Sequence, residues 1–336
     1  MAQTIVFRSS AGARQTTEGD GLPHGPTLLY DGSVQLPENV RRRIAERAET
    51  VGLAAPRRTA SAMSDAYRTG LAPRQGTAES STTYLVTRMP ATYAAACSVL
   101  REVHARIGEV ASVLDVGAGT GAASLAARAW FPAASLTMIE RDPAMTDAAR
   151  LWLPDVHVIS SDATQIPAFP QHDLVIACYA LSEFASHLLN RLWQAARVAL
   201  VVIEPGTPRG FAAIRNLRQE LLAAGARMVA PCPAETPCPI VDPDWCHFAA
   251  RVERSSLHRR IKEGGLGYED EKFSYVALAR APVPLARARI VRRPQHHPGL
   301  IVLETCTPEG LRSERVSRRD RPAFRAARQA SWGAPI

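Results

Sequence analysis

Short apolar runs alternate with helical patterns between Glu109 and Gly225, and this alternation constrains the fold more than any other feature of the chain. Strands that alternate with helices at this spacing are typical of βαβ units, in which consecutive strands lie parallel in one sheet. The first unit, ASVLDVGAGTGAASLAARAW, has the order strand, glycine-rich turn and helix. The sequence therefore predicts an α/β core with a parallel, Rossmann-like sheet over residues 109–225.

The glycine-rich turn of the first unit predicts a ligand site. Gly117, Gly119 and Gly121 have the spacing G-x-G-x-G, and Asp115 lies two residues ahead of the first glycine. Glycine allows the backbone to come close to a ligand, and the start of the following helix offers free N–H groups. The spacing differs from the dinucleotide pattern G-x-G-x-x-G, and no Gly-Lys-Ser/Thr follows, which excludes a P-loop.

Polar or aromatic side chains also follow the next three strands. Glu140 ends the strand SLTMIE, where an acid can accept hydrogen bonds from both ribose hydroxyls of a nucleoside. Asp162 follows the third strand and could hold an adenine amino group, and Tyr179 follows the fourth strand and could stack on a base. This ordered set resembles the S-adenosylmethionine-dependent methyltransferase fold, which implies S-adenosylmethionine as cofactor. The cofactor-binding residues predicted in this way are Asp115, Gly117, Gly119, Gly121, Glu140, Asp162 and Tyr179.

The segment after the fourth strand does not identify a catalytic residue. Methyl transfer to a base nitrogen commonly uses Asn/Asp-Pro-Pro-Tyr/Phe there in that fold, whereas this chain has Ala177-Cys178-Tyr179-Ala180. Methylation of a pyrimidine at C5 needs a cysteine nucleophile, but Cys178 lacks the preceding proline expected for one. A small buried thiol is the favoured role for Cys178. The catalytic residues are therefore left unassigned.

The flanking regions have different patterns. Residues 1–35 are polar and rich in Gly and Pro, which indicates loose order. Residues 36–108 have helical patterns, including ASAMSDAYRTG and a helix that starts at Pro90. Residues 226–336 hold a cysteine segment followed by β-like, arginine-rich sequence, so we predict a cysteine-rich, β-containing C-terminal extension. Within it, WCHFAARVERSSLHRRIK is predicted to be one helix, with Asp244 as its cap and Cys246 in its first turn, where the helix end favours a thiolate.

Three cysteines lie close together in PCPAETPCPIVDPDWCH. No signal sequence or membrane span is evident, and in a reducing compartment clustered cysteines favour metal binding or catalysis over disulfides. A closed site needs a fourth ligand besides Cys232, Cys238 and Cys246, and Cys306 or His247 could supply it. Zinc ribbons usually use Cys-x-x-Cys pairs, which are missing, and wide, irregular spacing also fits a [4Fe-4S] cluster. Spacing alone leaves zinc and iron–sulfur equally possible.

Positive charge is concentrated near the C-terminal end of the sequence. The segment from Arg280 to Arg328 contains twelve arginines and four acidic residues, so it accounts for the whole formal net charge of +8. A basic segment on an otherwise neutral chain predicts a polyanionic partner such as nucleic acid. The alternative is a solvated arginine-rich surface that reflects compositional bias, because Lys262 and Lys272 are the only lysines.

Several motifs together resemble the Rsm-type proteins, which are methyltransferase-like factors associated with the small ribosomal subunit in bacteria and mitochondria. They are YLVTRMPATYAA, LDVGAGTGAAS, APCPAETPCPIVDPDWCHFAARVER, LGYEDEKFSYVAL and AARQASWG, in order over roughly residues 60–333. The resemblance implies binding to small-subunit rRNA during assembly. It also implies a [4Fe-4S] cluster, rather than zinc, on Cys232, Cys238, Cys246 and Cys306.

Two functions follow from this resemblance. The first is a small-subunit assembly or translation factor that binds S-adenosylmethionine, rRNA and a cluster, and the second is an active S-adenosylmethionine-dependent rRNA methyltransferase. Either would be a ribosome-associated monomer without a membrane partner. We expect it in the cytoplasm, or in mitochondria if the source is eukaryotic.

Overall fold

The computed structural model describes residues 34–51, 78–181, 186–262 and 266–336. The segment predicted to be loosely ordered, residues 1–35, lies outside the described residues except for its last two, and the helix predicted for ASAMSDAYRTG lies wholly outside them. Within the described ranges, no helix is long and apolar enough to cross a membrane.

Helices form the described part of the N-terminal region. The longest of them has Pro90 in its first turn, where the missing N–H of proline costs nothing. Tyr93, Leu100 and Val103 of this helix are fully buried, and the helix packs on the main sheet. The N-terminal helices therefore cover part of the core instead of forming a separate unit. They are α1 (Glu38–Val51), α2 (Ala78–Thr87) and α3 (Met89–Ile107).

An eight-stranded sheet forms the core. Strands β1 to β5 are parallel and have the order β3-β2-β1-β4-β5, so the direction of winding reverses between β1 and β4. The sheet continues with β8, which runs antiparallel to β5 and pairs with both β6 and β7. The strands are β1 (Ser112–Val116), β2 (Ser135–Glu140), β3 (His157–Ser160), β4 (His172–Cys178), β5 (Ala196–Pro205), β6 (Arg227–Ala230), β7 (Phe248–Glu253) and β8 (Tyr268–Ala279).

Helices cover both faces of this sheet, because successive residues along a strand face opposite sides of the sheet and the residues on each side are apolar. Val113 packs into the core under α3 and α4, whereas the next residue, Leu114, packs into the core under α6 and α7. Strands buried on both faces are expected in a parallel sheet with crossover helices. The predicted Rossmann-like α/β core is therefore confirmed. The covering helices are α4 (Ala122–Trp130), α5 (Pro143–Arg150), α6 (Ser186–Ala195) and α7 (Pro208–Ala223).

The helix predicted for WCHFAARVERSSLHRRIK is wrong over most of its length. Phe248–Glu253 is strand β7, and only Ser256–Lys262 is helical, as α8. Phe248, Ala250 and Val252 are buried on one side of β7 and pair with β8, so the period-two pattern outweighs the helical one. Cys246 consequently lies in a loop before a strand, and a helix dipole does not act on its thiol.

A second, four-stranded sheet follows the core. Its central strand, β11, pairs with β9, β10 and β12, and α9 packs against β11 and β12. Ile290, Ile301, Leu303 and Ala327 form its small apolar core. The arginine-rich segment therefore folds on a scaffold of its own. Its elements are β9 (Arg289–Ile290), β10 (Gln295–His297), β11 (Leu300–Thr307), β12 (Gly310–Ser317) and α9 (Arg321–Gln329).

Arg289 attaches this second sheet to the core. Its Nε donates to Pro231 O at 2.9 Å, and its Nη1 donates to Gly333 O at 2.7 Å. Nη1 also contacts Glu102 Oε2 of α3 at 3.1 Å. Burial alone would raise the pKa of Glu102, but Arg289 and Arg106 outweigh it and hold the pKa below its usual value. This buried ion network therefore links α3, the loop after β6 and the C-terminal residues.

Candidate cofactor pocket and cysteine cavity

The glycine-rich turn between β1 and α4 has the backbone geometry that its sequence predicts. Gly117, Gly119 and Gly121 have φ angles of 72°, 55° and 74°, in the left-handed region that favours glycine. A Cβ on Gly121 would also lie 3.2 to 3.3 Å from the side chains of Leu153, Ala149 and Met138. Glycine is therefore required here both for the turn and for the close packing of α4.

Glu140 ties the end of β2 to this turn. Its Oε2 accepts a hydrogen bond from Gly119 N at 2.8 Å, and its Oε1 accepts from Arg141 N and Asp142 N, each at 2.9 Å. The carboxylate is thus fixed at the carboxyl edge of the sheet, beside the point where the winding reverses. Ligands of doubly wound sheets bind at this position.

Asp162 lies on the opposite side of the same pocket. Its Oδ1 accepts from Thr164 N at 2.9 Å and from Thr164 Oγ1 at 2.7 Å, and its Oδ2 contacts Arg141 Nη1 at 3.1 Å. These hydrogen bonds, with the charge of Arg141, hold the pKa of Asp162 below its usual value. Gly117, Glu140, Arg141 and Asp162 line one pocket of about 320 Å³. The structure therefore brings three of the predicted cofactor residues together and adds Arg141.

Asp115 is placed differently from the other predicted residues. It is 1% exposed, and its Oδ2 accepts from Ser124 N at 3.0 Å and Ser124 Oγ at 2.7 Å. Its Oδ1 has no hydrogen-bond partner in the described structure. Burial raises the pKa of Asp115 to about 6, against the opposing effect of the Ser124 hydrogen bonds. Asp115 therefore holds the first turn of α4 from within the core and does not line the pocket.

Tyr179 has a strained backbone directly after β4. Its φ of 57° is the only positive value for a non-glycine residue in the described ranges. Its hydroxyl donates to Glu271 Oε1 at 2.9 Å, and Arg88 contacts both oxygens of Glu271, at 2.9 and 3.3 Å. Arg88 lies in YLVTRMP and Glu271 in YEDEKF, and neither residue is among those predicted from the sequence to form a site. The Tyr179 hydroxyl is thus committed to an ion pair that joins the N-terminal helices to β8.

Cys178 is buried beside this ion pair. Burial raises the pKa of the Cys178 thiol well above its usual value, and the carboxylates of Asp115, Glu204 and Glu271 raise it further. A thiol in such surroundings stays protonated and is a poor nucleophile. The structure thus gives Cys178 the environment of a buried, unreactive thiol.

The other predicted site is a cavity that contains all four predicted cysteine ligands. Cys232 and Cys238 come from the loop after β6, Cys246 from the loop before β7, and Cys306 from β11. They line one cavity of about 700 Å³, and none of them forms a disulfide. Burial raises the pKa of Cys246 well above its usual value, and so do Cys232, Cys238 and Cys306. The four sulfurs therefore lie within electrostatic reach of one another, although Cys306 is 60 residues beyond Cys246, the last of the three in the β6–β7 loop.

Across the described ranges, no group of three or more His, Cys, Asp or Glu residues could hold one metal ion. His247, the alternative fourth ligand, is not part of the cavity lining. Its ring stacks on Trp245 at a centroid distance of 5.2 Å and meets Trp332 edge-on at 4.8 Å. His247 therefore does not line the cavity that contains the four cysteines.

The strand order and the pocket at the reversal of winding define the core as methyltransferase-like. The sequence model of the family described as "Mitochondrial small ribosomal subunit Rsm22" matches residues 78–336. The chain belongs to this family.

The chain also has weaker similarities to solved structures. A proposed RNA methyltransferase from Pyrococcus horikoshii is 18% identical, with 55% of this chain and 82% of that chain covered and a TM-score of 0.38. The plantazolicin methyltransferase BpumL, in complex with SAH, is 13% identical, with 72% and 99% covered and a TM-score of 0.39. The YcgJ protein of Bacillus subtilis is 13% identical, with 55% and 97% covered and a TM-score of 0.35. No curated protein matches the chain.

The raised pKa of Asp115 predicts a specific dependence of stability on pH. A carboxyl whose pKa rises from 3.8 to about 6 on folding stabilises the fold fully below about pH 4, and this contribution is lost as the pH rises through about 6. Asp115→Asn removes the charge. We therefore expect its free energy of unfolding, relative to wild type, to increase by on the order of 1–3 kcal/mol between about pH 4 and about pH 7.

Urea denaturation across this pH range measures the effect. Asp155→Asn is the control, because Arg128 holds the pKa of the exposed Asp155 below its usual value and its pH dependence has the opposite sign. A difference between Asp115→Asn and wild type that is independent of pH would contradict the prediction.

Proposed function

We propose that the protein is a small-ribosomal-subunit assembly or translation factor that binds S-adenosylmethionine, rRNA and a [4Fe-4S] cluster. One observation carries the proposal: four cysteines from two chain segments, the loop between β6 and β7 and strand β11, line one cavity between the methyltransferase-like core and the arginine-rich second sheet. Membership of the Rsm22 family supports the association with the small subunit.

The donor set of the cavity fits an iron–sulfur cluster better than zinc. Its lining includes four thiols but no carboxylate or imidazole. The four ligands of a tetrahedral zinc ion lie within about 4 Å of each other, since each Zn–S bond is roughly 2.3 Å long. A [4Fe-4S] cluster places its cysteines farther apart, because each binds a different iron.

Cys232, Cys238, Cys246 and Cys306 would hold the cluster, and its chemistry would be structural. Cys306 lies in the central strand of the second sheet, whereas the other three belong to loops of the core. Ligation across this boundary would fix the position of the second sheet. The free energy of metal binding in such sites is largely folding free energy. The folding of the arginine-rich surface would therefore depend on cluster binding.

The arginine-rich surface supports binding to rRNA. Arg318, Arg319, Arg321, Arg325 and Arg328 are all exposed, and they follow one another through the turn after β12 and along α9. A helix and a turn that present several guanidinium groups to solvent suit the phosphates of folded RNA. The second sheet is thus the proposed contact with the small subunit.

The pocket at the edge of the core sheet supports S-adenosylmethionine as the cofactor. Glu140 and Asp162 both line this pocket, where Glu140 would accept hydrogen bonds from ribose hydroxyls and Asp162 would accept from an adenine amino group.

The segment after β4 favours a factor over an enzyme. Removal of a proton from a substrate amine or hydroxyl needs a free acceptor near the transferred methyl group. Tyr179 already donates to Glu271, whose two oxygens are engaged by Arg88, and Cys178 is held protonated. The alternative function is an active S-adenosylmethionine-dependent rRNA methyltransferase, and the pocket formed by the glycine-rich turn and Glu140 fits both functions.

Cofactor binding is tested with Asp162→Ala. Loss of a hydrogen bond to a charged group should weaken the binding of S-adenosylmethionine by roughly 10-fold or more in isothermal titration calorimetry. Asp155→Ala is the matched control, because Asp155 also pairs with an arginine, at 2.8 Å, but lies outside the pocket. Wild-type protein that does not bind the cofactor would refute this assignment.

Methylation is tested in cells. Modified nucleotides in the small-subunit rRNA are mapped with and without the gene, together with the amount of mature small subunit. For a factor, we expect unchanged methylation and a shortage of mature subunits. A methyl mark that disappears with the gene, and returns with wild-type protein but not with Asp162→Ala, would establish the enzyme instead.

The cluster is tested with Cys238→Ser. Anaerobically purified wild-type protein should absorb broadly near about 400 nm, and Cys238→Ser should lose this absorbance and melt at a lower temperature. The metal-free forms of both proteins are the control and should melt together, since Cys238 is only partly buried. Colourless wild-type protein with stoichiometric zinc, or an unchanged melting temperature in Cys238→Ser, would contradict the proposal.

A further inference from the structure

Two buried arginines line the cysteine cavity together with the four thiols. Arg218 of α7 is 4% exposed and Arg289 of β9 is 2% exposed. Transfer of a guanidinium group from water into the protein interior costs several kcal/mol unless an anion or well-placed acceptors compensate. The partners of each arginine therefore indicate what its charge does in the cavity.

Arg218 has only partial compensation. Its Nη2 donates to Ala234 O and Thr236 O, both at 2.8 Å, and these carbonyls belong to the loop between Cys232 and Cys238. Its Nε is buried and has no hydrogen-bond partner within the described part of the chain. The acceptors that Arg218 has found are neutral, so its positive charge is still uncompensated at the wall of the cavity.

Arg289 also brings net positive charge. It contacts Glu102, but the same Glu102 Oε2 accepts from Arg106 Nη1 at 2.8 Å. Two arginines share one carboxylate, which leaves one positive charge in this group. The other acceptors of Arg289 are the neutral carbonyls of Pro231 and Gly333.

The cysteines supply the opposite charge once they are ionised. Arg218 and Arg289 line the same cavity as Cys232 and Cys306. Four thiolates bring four negative charges into the cavity, and a bound iron–sulfur core offsets only part of them. The arginines therefore lie where this remaining negative charge needs compensation.

We infer that Arg218 and Arg289 are positioning residues that supply the counter-charge of the cysteine cavity, retain the cluster and raise its reduction potential. A nearby positive charge stabilises the more negative, reduced state of a cluster, and neighbouring groups of this kind tune both metal retention and potential. The inference rests on the proposed iron–sulfur site. Retention of the cluster then requires the charge of Arg218, and not only the hydrogen bonds by which Arg218 supports the loop.

The test compares Arg218→Met with Arg218→Lys in anaerobically purified protein. Arg218→Met removes the charge, so we expect roughly 10-fold faster loss of iron to a chelator and a lower reduction potential in a redox titration. Arg218→Lys keeps the charge but loses the planar fork, and we expect it to stay close to wild type in both measurements. Arg197→Met is the control for the substitution itself, because Arg197 is half-exposed and pairs with Asp173 outside the cavity.

The outcomes separate this inference from the proposed function. If Arg218→Met and Arg218→Lys lose iron equally fast, or if the potential of Arg218→Met is unchanged, the counter-charge role is overturned while the cluster assignment stands. If wild-type protein contains no iron or acid-labile sulfide after anaerobic purification and reconstitution, the iron–sulfur assignment itself fails, and the inference fails with it.

Discussion

The buried guanidinium group of Arg289 is the constraint on which the relation between the two sheets depends. Its donors are satisfied by the loop after β6, by the C-terminal residues and by α3, three parts of the chain that lie far apart in sequence. A buried charge is tolerated only when its partners are all in place. The attachment is therefore cooperative: displacement of any one partner leaves a charge or a carbonyl unsatisfied, and the other two contacts weaken with it.

The region after β4 shows a second constraint of the same kind. Tyr179 keeps a left-handed backbone because Glu271 holds its hydroxyl and Ile203 O accepts from its N–H at 2.7 Å. Such a conformation costs about 1–3 kcal/mol and persists only where the surroundings determine it. In an enzyme of this fold, the groups after β4 would face the acceptor substrate. Here they bond to β8 and to the N-terminal helices, so this part of the molecule is organised for internal contact.

Patterns that are local in sequence predicted the core well, and contacts between distant segments account for what they missed. The parallel sheet followed from apolar runs, and the glycine-rich turn followed from the spacing of Gly117, Gly119 and Gly121. Strand β7 was predicted to be a helix because its residues have helical propensity, whereas pairing with β8 decides its structure. Arg88 and Glu271 lie 183 residues apart, and no local pattern shows that they meet.

The proposed cofactor pocket and the cysteine cavity share one structural element. Glu204, near the end of β5, is buried, and its Oε1 accepts from Leu181 N at 2.9 Å, which supports the segment that follows Tyr179. Directly after β5, α7 begins at Pro208 and supplies Phe211, Ile214 and Arg218 to the wall of the cysteine cavity. The link is tight, because a Cβ on Gly210 would lie 2.1 Å from Pro205 O. A shift of β5 would therefore move the segment after β4 and the wall beside the cysteines together.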